Sequence, residues 1–503
     1  MRESGILMHI TSLPGPYGVG TMGAQAYAFV DFLKEAGQRC WQILPLSPTG
    51  YGDSPYQSCS AYAGNHYLID LDLLIAQGLL KPDEVGHIDW GGSQGRVDFG
   101  LLYRNRLKVL SLAYGRFQGG AAFDRFCQEN GSWLPDFALF MALKEKFQGK
   151  PWYSWEDGLK FRQPKALDAA RREMKEQIRF YCFVQYLFFT QWEALRRYAH
   201  ENGIRIIGDV PIYVPYDSAD VWSEPGWFQL DEDMTPTAVA GCPPDAFTAD
   251  GQLWGNPLYR WDALKQDGYR WWLRRLAAAG RLYDVVRMDH FRGFQAYWSV
   301  PFGDPTARGG KWIAGPGMDF LNTVKQALPE LNLIAEDLGY LTPEVLRMRD
   351  DSGFPGMKVL EFAFDSREPS DYLPHTYPRN SVCYTGTHDN MTMRQWFETA
   401  DADAVAYASE YMALTEQEGL VWGVVRTAEA SVSELCVIQM QDLLDLGAEA
   451  RMNFPGTLTS DNWTWRAEAD FTGHGLAQKL KHLTELYGRL VKDTHSENGE
   501  NVL

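Results

Sequence analysis

The chain lacks any apolar run long enough to cross a bilayer. The longest candidate, Phe180 to Trp192, is 13 residues, holds two glutamines and is bounded by Arg179 and Glu193, whereas a spanning helix needs about 20. The opening Met1-Arg2-Glu3-Ser4-Gly5 leads into an apolar stretch of about five residues, far short of the core of a signal peptide. No membrane partner is expected. Positive charge is scarce too: 47 Lys and Arg face 65 Asp and Glu, a net charge of −18. Such a surface repels phosphate backbones and anionic lipids, so nucleic acid is not expected as a partner either. The seven cysteines (Cys40, Cys59, Cys127, Cys182, Cys242, Cys383 and Cys436) are odd in number, with no C-x-x-C pair and no ligand-like His spacing. Reduced thiols in a cytosolic protein fit that pattern, and a disulfide framework does not.

A dinucleotide fingerprint is also missing, although Gly18-Val19-Gly20-Thr21-Met22-Gly23 has the letters of one. The pattern binds a pyrophosphate only when its glycines turn directly out of a strand and an acidic residue follows about 20 positions on. Here seven residues, Thr11 to Tyr17, separate the apolar run Ile6–Ile10 from Gly18, and the first carboxylate after the next run is Asp53. Gly18, Gly20 and Gly23 therefore read as loop glycines before a helix.

What the chain has is aromatic side chains and alternation. It carries 18 Trp, 25 Tyr and 26 Phe in 503 residues, flat apolar faces that suit either a large core or sugar rings. Short strand-like runs fall at Ile6–Ile10, Cys40–Leu44, Ile204–Asp209, Asp284–Asp289, Leu331–Glu336, Met357–Glu361, Ser381–Thr385 and Ala450–Phe454. Helical stretches separate most of them: one with Met22, Ala26, Phe29, Val30 and Leu33 on a single stripe, then Phe180–Asn202, Tyr269–Ala279, one opening at Thr342-Pro343-Glu344, and Glu429–Leu446. A last one, Leu476–Val491, closes the final unit. Eight such units make an α/β fold of the (β/α)8 TIM-barrel type, with the active site at the carboxyl ends of the strands. The whole chain, 1–503, is then one catalytic barrel. Two connections are too long to be loops and are expected to be inserted subdomains at that face: 47–178 after strand two, and 210–267 after strand three. The latter carries Trp222, Trp227, Trp254 and Trp261.

The strand ends are charged. Asp209 ends the third, Asp289 the fourth, Glu336 and Asp337 the fifth, and His388 with Asp389 the seventh. One such carboxylate is ordinarily a helix cap; four converging strands make a site. Arg287 and Asp289 share a strand face, which favours an ionised Asp289. Carboxylates in different environments serve glycosyl transfer, which needs a nucleophile and a protonated acid. The same groups, with His290, could instead hold the hard cations of a two-metal hydrolase. The aromatic wall favours the sugar reading.

In order along the chain, SPYQS (54–58), GDVPIYV (208–214), GCPPDAF (241–247), LWGNP (253–257), RMDHFRGF (287–294), AEDLG (335–339), GTHDN (386–390) and RMNFPGT (451–457) resemble the 4-α-glucanotransferases known as amylomaltases or disproportionating enzymes, relatives of the α-amylases. The resemblance implies a retaining mechanism with a covalent glucosyl-enzyme intermediate, no cofactor and no metal, and α-1,4-glucans and maltooligosaccharides as substrates. Carried over by motif, Asp289 matches the nucleophile, Glu336 the general acid/base and Asp389 the transition-state stabiliser. Arg287, His290, Asp209 and His388 match groups that hold the reacting sugar or the nucleophile. Tyr56 and Trp254 match stacking platforms, and Asp245 and Gln252 lie on a loop over the cleft.

Overall fold

The computed structural model describes residues 2–491 apart from 51, 92–94, 245–248, 340, 366–369 and 474. Its strands, in chain order, are β1 (Glu3–Leu7), β2 (Cys40–Gln42), β3 (Arg205–Val210), β4 (Ala238–Cys242), β5 (Gln252–Pro257), β6 (Val285–Met288), β7 (Ala296–Pro301), β8 (Lys311–Ala314), β9 (Asn332–Ala335), β10 (Gly356–Val359), β11 (Ser381–Tyr384) and β12 (Leu435–Gln439). Eight of them close into a barrel in the order β1-β12-β11-β10-β9-β6-β3-β2, with every neighbouring pair parallel. The strands are short and nearly all apolar because each is covered on both faces, by the barrel core inside and by helices outside.

The first crossover helix, Ala24–Glu35, shows how the sequence builds a unit. Ala26, Phe29, Val30 and Leu33 recur at helical spacing and are fully buried against the barrel. It starts at Gly23, where a Cβ would fall 2.0 Å from the Asp70 carboxylate; a Cβ on Gly20 would fall 1.9 Å from the Ile10 carbonyl. These glycines permit close packing and cradle no phosphate. Further helices at Lys175–Glu201, Arg270–Leu282, Gly317–Ala327, Pro343–Ser352, Leu420–Ala430 and Leu476–Leu486 complete the outer ring. Between β10 and β11 the described residues form only 3-10 turns, at Leu360–Phe362 and Pro374–Thr376.

Seven of the eight expected barrel strands fall within a few residues of their positions. The eighth does not. Ala450–Phe454 is a 3-10 turn followed by irregular chain, and the last barrel strand is β12, inside the stretch 429–446 expected to be a helix. The helix ends instead at Ala430, and Ser431, buried at its C-cap, accepts hydrogen bonds from Arg489. The reason lies in the apolar run Leu435-Cys-Val-Ile438, which satisfies either period over four residues. Pairing with both β1 and β11 decides it.

The connection from β2 to the helix Lys175–Glu201 is mostly helical, including Phe99–Arg116, Ala121–Glu129 and Leu134–Lys146. The connection after β3 carries β4 and β5, which join β7 and β8 in a four-stranded antiparallel sheet ordered β5-β4-β7-β8. Half of this sheet thus comes from the connection after β6, which nothing in the sequence marks as an insertion.

Candidate active site

The register of β3 against β6 sets Asp209 beside Arg287. Since alternate residues share a face, Asp289 lies on the same side as Arg287, one step nearer the barrel mouth. The guanidinium bridges the two: its Nη1 donates to Asp209 Oδ2 at 2.6 Å and to Asp289 Oδ1 at 3.0 Å. Asp209 and Arg287 are sealed from solvent, while the Asp289 side chain keeps 28% of its surface open. Two carboxylates against one buried guanidinium hold the pKa of Arg287 well above its ordinary value. Burial raises the Asp209 carboxyl, which the arginine opposes.

Beyond the strand ends the ladder continues: Asp289 N–H donates to the Val210 carbonyl and Glu336 N–H to the Met288 carbonyl, both at 3.1 Å. His290 then takes the left-handed conformation, φ 53°, a costly one for a residue with a Cβ. The turn aims the His290 N–H at Glu336 Oε2, 2.7 Å away, and Leu338 N–H meets the other oxygen at 2.8 Å. Trp254 packs edge-on against the His290 ring with centroids 4.9 Å apart. Burial pushes the Glu336 carboxyl up to about 7, opposed by Arg287 and helped by the charge of Asp289. Burial is the larger cause of that shift and the charge of Asp289 the smaller.

His290 is pushed down to about 4 and His388 is also lowered, in both cases mainly by burial, so both imidazoles are neutral at pH 7. His388 lies flat against Tyr56 with centroids 5.0 Å apart, and the Tyr56 hydroxyl donates to Asp209 Oδ2 at 2.8 Å. One face of the Tyr56 ring is therefore occupied by the protein. Asp389, 46% exposed, sits 3.5 Å from His388 Nε2. Trp254 Nε1 donates to Gln252 Oε1 at 3.1 Å on β5. Asp245 lies outside the described residues.

Asp337 leaves the cluster. It accepts from Arg349 and from the Met357 N–H, both at 2.7 Å, on the outer side of β9. Among the described residues no group of three or more His, Cys, Asp and Glu side chains gathers as metal ligands, and a guanidinium stands between Asp209 and Asp289. The sequence reading gave no role to Arg451 and Asn453. Asn453 Nδ2 donates to Asp389 Oδ1 at 2.6 Å, and Arg451 Nη2 to the Asp389 carbonyl at 2.9 Å. Both belong to RMNFPGT, whose likeness to the family was the available signal; reading that segment as a strand hid its place on the loop after β12.

The chain is similar to proteins of known activity over nearly its whole length. A family profile described as 4-alpha-glucanotransferase matches residues 8–471. A 4-alpha-glucanotransferase of Clostridium butyricum is 49% identical over 486 residues, covering 96% of this chain and all of the relative. One from Thermus thermophilus is 49% identical over 478 residues, with 92% and 94% covered. The solved amylomaltase of Streptococcus agalactiae in complex with acarbose superposes with a TM-score of 0.95 at 44% identity, covering 97% of this chain and all of that one. The chain belongs to the 4-alpha-glucanotransferases, glycoside hydrolase family 77.

Proposed function

We propose that this enzyme breaks and remakes α-1,4 bonds between glucosyl units of maltooligosaccharides and longer glucans in the cytoplasm, with Asp289 as nucleophile and Glu336 as acid and base. The observation that carries the assignment is the pairing of Asp289 with the buried Arg287 beside a Glu336 carboxyl raised to about 7. In the first half-reaction an Asp289 oxygen bonds to the anomeric carbon as the glycosidic C–O bond breaks, and the Glu336 proton goes to the leaving 4-oxygen. The product is a glucosyl ester and a free shortened glucan. Once esterified, Asp289 carries no charge, so Glu336 acidifies. It then takes the proton from the acceptor 4-hydroxyl, which attacks the same carbon and releases Asp289.

Asp389, held by Asn453, stabilises the positive sugar ring between the two steps. Asp209, His388, His290 and Arg287 hold the reacting sugar or the acids. Tyr56 and Trp254 form the aromatic contacts of the cleft, with Gln252 and the segment around Asp245 as its cover. Segments 47–178 and 210–267 act as subdomains that shape the acceptor side. The chemistry uses protons and carboxylates alone, and no step calls for a cofactor or metal. A sugar held on aromatic walls is present at high effective concentration, which lets it outcompete water.

Asp289→Asn tests the assignment. It is expected to melt at the wild-type temperature and to lose at least about a thousandfold in rate, because an amide cannot form the ester. A well-folded variant keeping a tenth of the rate would overturn it. In the wild type, maltotriose should yield glucose and a ladder of longer chains while reducing ends stay constant. Reducing ends that rise with each cleavage, without longer products, would mark a hydrolase.

A further inference from the structure

Away from the acids, three aromatic side chains from separate segments meet at the surface. Tyr153, on the 3-10 turn Trp152–Ser154, lies flat against Tyr216, with centroids 4.2 Å apart and planes 2° from parallel. Phe302, the residue after β7, meets Tyr216 edge-on at 6.4 Å. Tyr153 and Phe302 remain 38% and 48% exposed. Tyr216, at the centre, is held from below and at its hydroxyl. Trp152 is buried beneath Tyr216, edge-on at 5.4 Å, and its Nε1 donates to the Tyr216 carbonyl at 2.7 Å. The Tyr216 hydroxyl donates to the Met234 carbonyl at 2.6 Å. At its edge stands a half-open ion pair, Lys144 to Asp217 at 2.6 Å, and Asp217 also accepts from the Trp152 N–H.

Exposed, immobilised rings cost solvation free energy and take no part in the chemistry of the acids, so their presence together asks for a ligand. Flat apolar faces suit the C–H face of a pyranose, and the adjacent carboxylate and ammonium suit its hydroxyls. A polyanion would meet a molecule of net charge −18. The placement is consistent with the same substrate. On β4, Ala238 pairs with Pro301 and Gly241 pairs with Leu253. Phe302 therefore lies about three residues from the level of Trp254 along the same sheet and two strands across it, about 14 Å at roughly 3.4 Å per residue and roughly 4.8 Å per strand. A short stretch of glucan covers that distance.

We propose that Tyr153, Tyr216 and Phe302 form a second binding surface for linear α-1,4-glucan, which holds the distal part of a long chain while its reacting bond lies in the cleft. This rests on the glucan reading of the cleft and adds the length of the preferred substrate. Engaging both places makes the second contact intramolecular, so affinity rises with chain length without any new contact at the acids.

Tyr153→Ala, Phe302→Ala and the double variant are compared with wild type on maltotriose and on amylose, together with retardation in amylose-containing native gels in an Asp289→Asn background. Maltotriose kcat and KM should stay within about twofold. The amylose KM should rise about fivefold to tenfold in the double variant, and its retardation should weaken. Unchanged amylose KM and retardation would overturn the proposal, and so would a maltotriose KM that rises in parallel, which would mean that the rings act on the cleft. A wild-type enzyme that fails to disproportionate maltotriose would instead overturn the reading of the cleft, an outcome distinct from these.

Discussion

Glu336 receives two backbone N–H groups, which favour its anion, and sits in a buried setting that favours its acid. Burial prevails, and it pushes the carboxyl up to about 7. This has a catalytic and a thermodynamic consequence with a common cause. Donation to the leaving oxygen needs the protonated form, so kcat/KM should fall with rising pH through about 7, tenfold per unit on the alkaline limb. For stability, the folded state holds its Glu336 proton more tightly than the unfolded chain, whose pKa is near 4.5. Folded protein therefore binds more protons between these values and loses stability as pH rises from about 4.5 to 7. Glu336→Gln carries no such loss. It should be inactive yet melt above wild type at pH 8, by on the order of 1–3 kcal/mol, with the gap closing toward pH 5. A constant or inverted gap across that range would show that Glu336 is not the buried acid described here.

At the scale of elements, the loop after β12 is the part of the site that sequence periodicity hides. It brings Asn453 to 2.6 Å from the Asp389 carboxylate, an otherwise half-exposed group that a single charge-assisted hydrogen bond orients. Asn453→Ala should lower kcat about tenfold to a hundredfold with KM and melting temperature nearly unchanged, as expected where Asp389 acts in the transition state. Asn453→Asp should be worse, since a like charge then faces Asp389. A rise in KM alone would place Asn453 in ground-state binding instead. The contrast with the other strands says what a sequence can carry. At β3, β6 and β9 an apolar run ends at a charged residue, and after β11 the charged pair follows past three intervening residues, so strand and site are marked together: Asp209, Asp289, Glu336 and His388-Asp389. β12 ends at Gln439, and the residues that contact Asp389 come 12 and 14 positions later, after a further short helix. The edge sheet was hidden for another reason. β7 gains its identity only by pairing with β4, a long-range contact with no local signal, and β8 by pairing with β7 in turn. The left-handed turn at His290 was equally silent, because it is imposed by neighbours rather than by the residue's own preference.

Across the whole molecule, the barrel must be closed by joining the two ends of the chain, and that seam is held by a charge pair at the face opposite the acids. β1 pairs with β12, and below them Arg489 and Glu429 are both completely buried. Arg489 donates to the carbonyls of Glu429, Glu3 and Ser431, at 2.8, 2.9 and 2.9 Å, so one guanidinium ties the residue that begins β1 to the turn that precedes β12. Ser4 Oγ donates to Glu429 Oε2 at 2.7 Å. Burial pushes the Glu429 carboxyl up to about 7, and Arg489 opposes it. The N-terminal face of such a barrel serves stability rather than chemistry, so the seam and the site should respond separately. Arg489→Met removes the partner of a buried acid and three backbone hydrogen bonds together. It should cost about 3–5 kcal/mol, read as a lower urea midpoint. The loss should be greater at pH 8 than at pH 5, because Glu429 without its arginine is accommodated only as the neutral acid, and ionising it while buried becomes dearer as the pH rises. Adding Glu429→Gln should recover the pH-dependent part and leave the part due to the lost backbone bonds. The specific activity of the folded fraction should match wild type throughout, because the strand ends that carry the acids are anchored by Arg287 and not by the seam. A variant with the wild-type midpoint would show that the barrel closes on its apolar core alone.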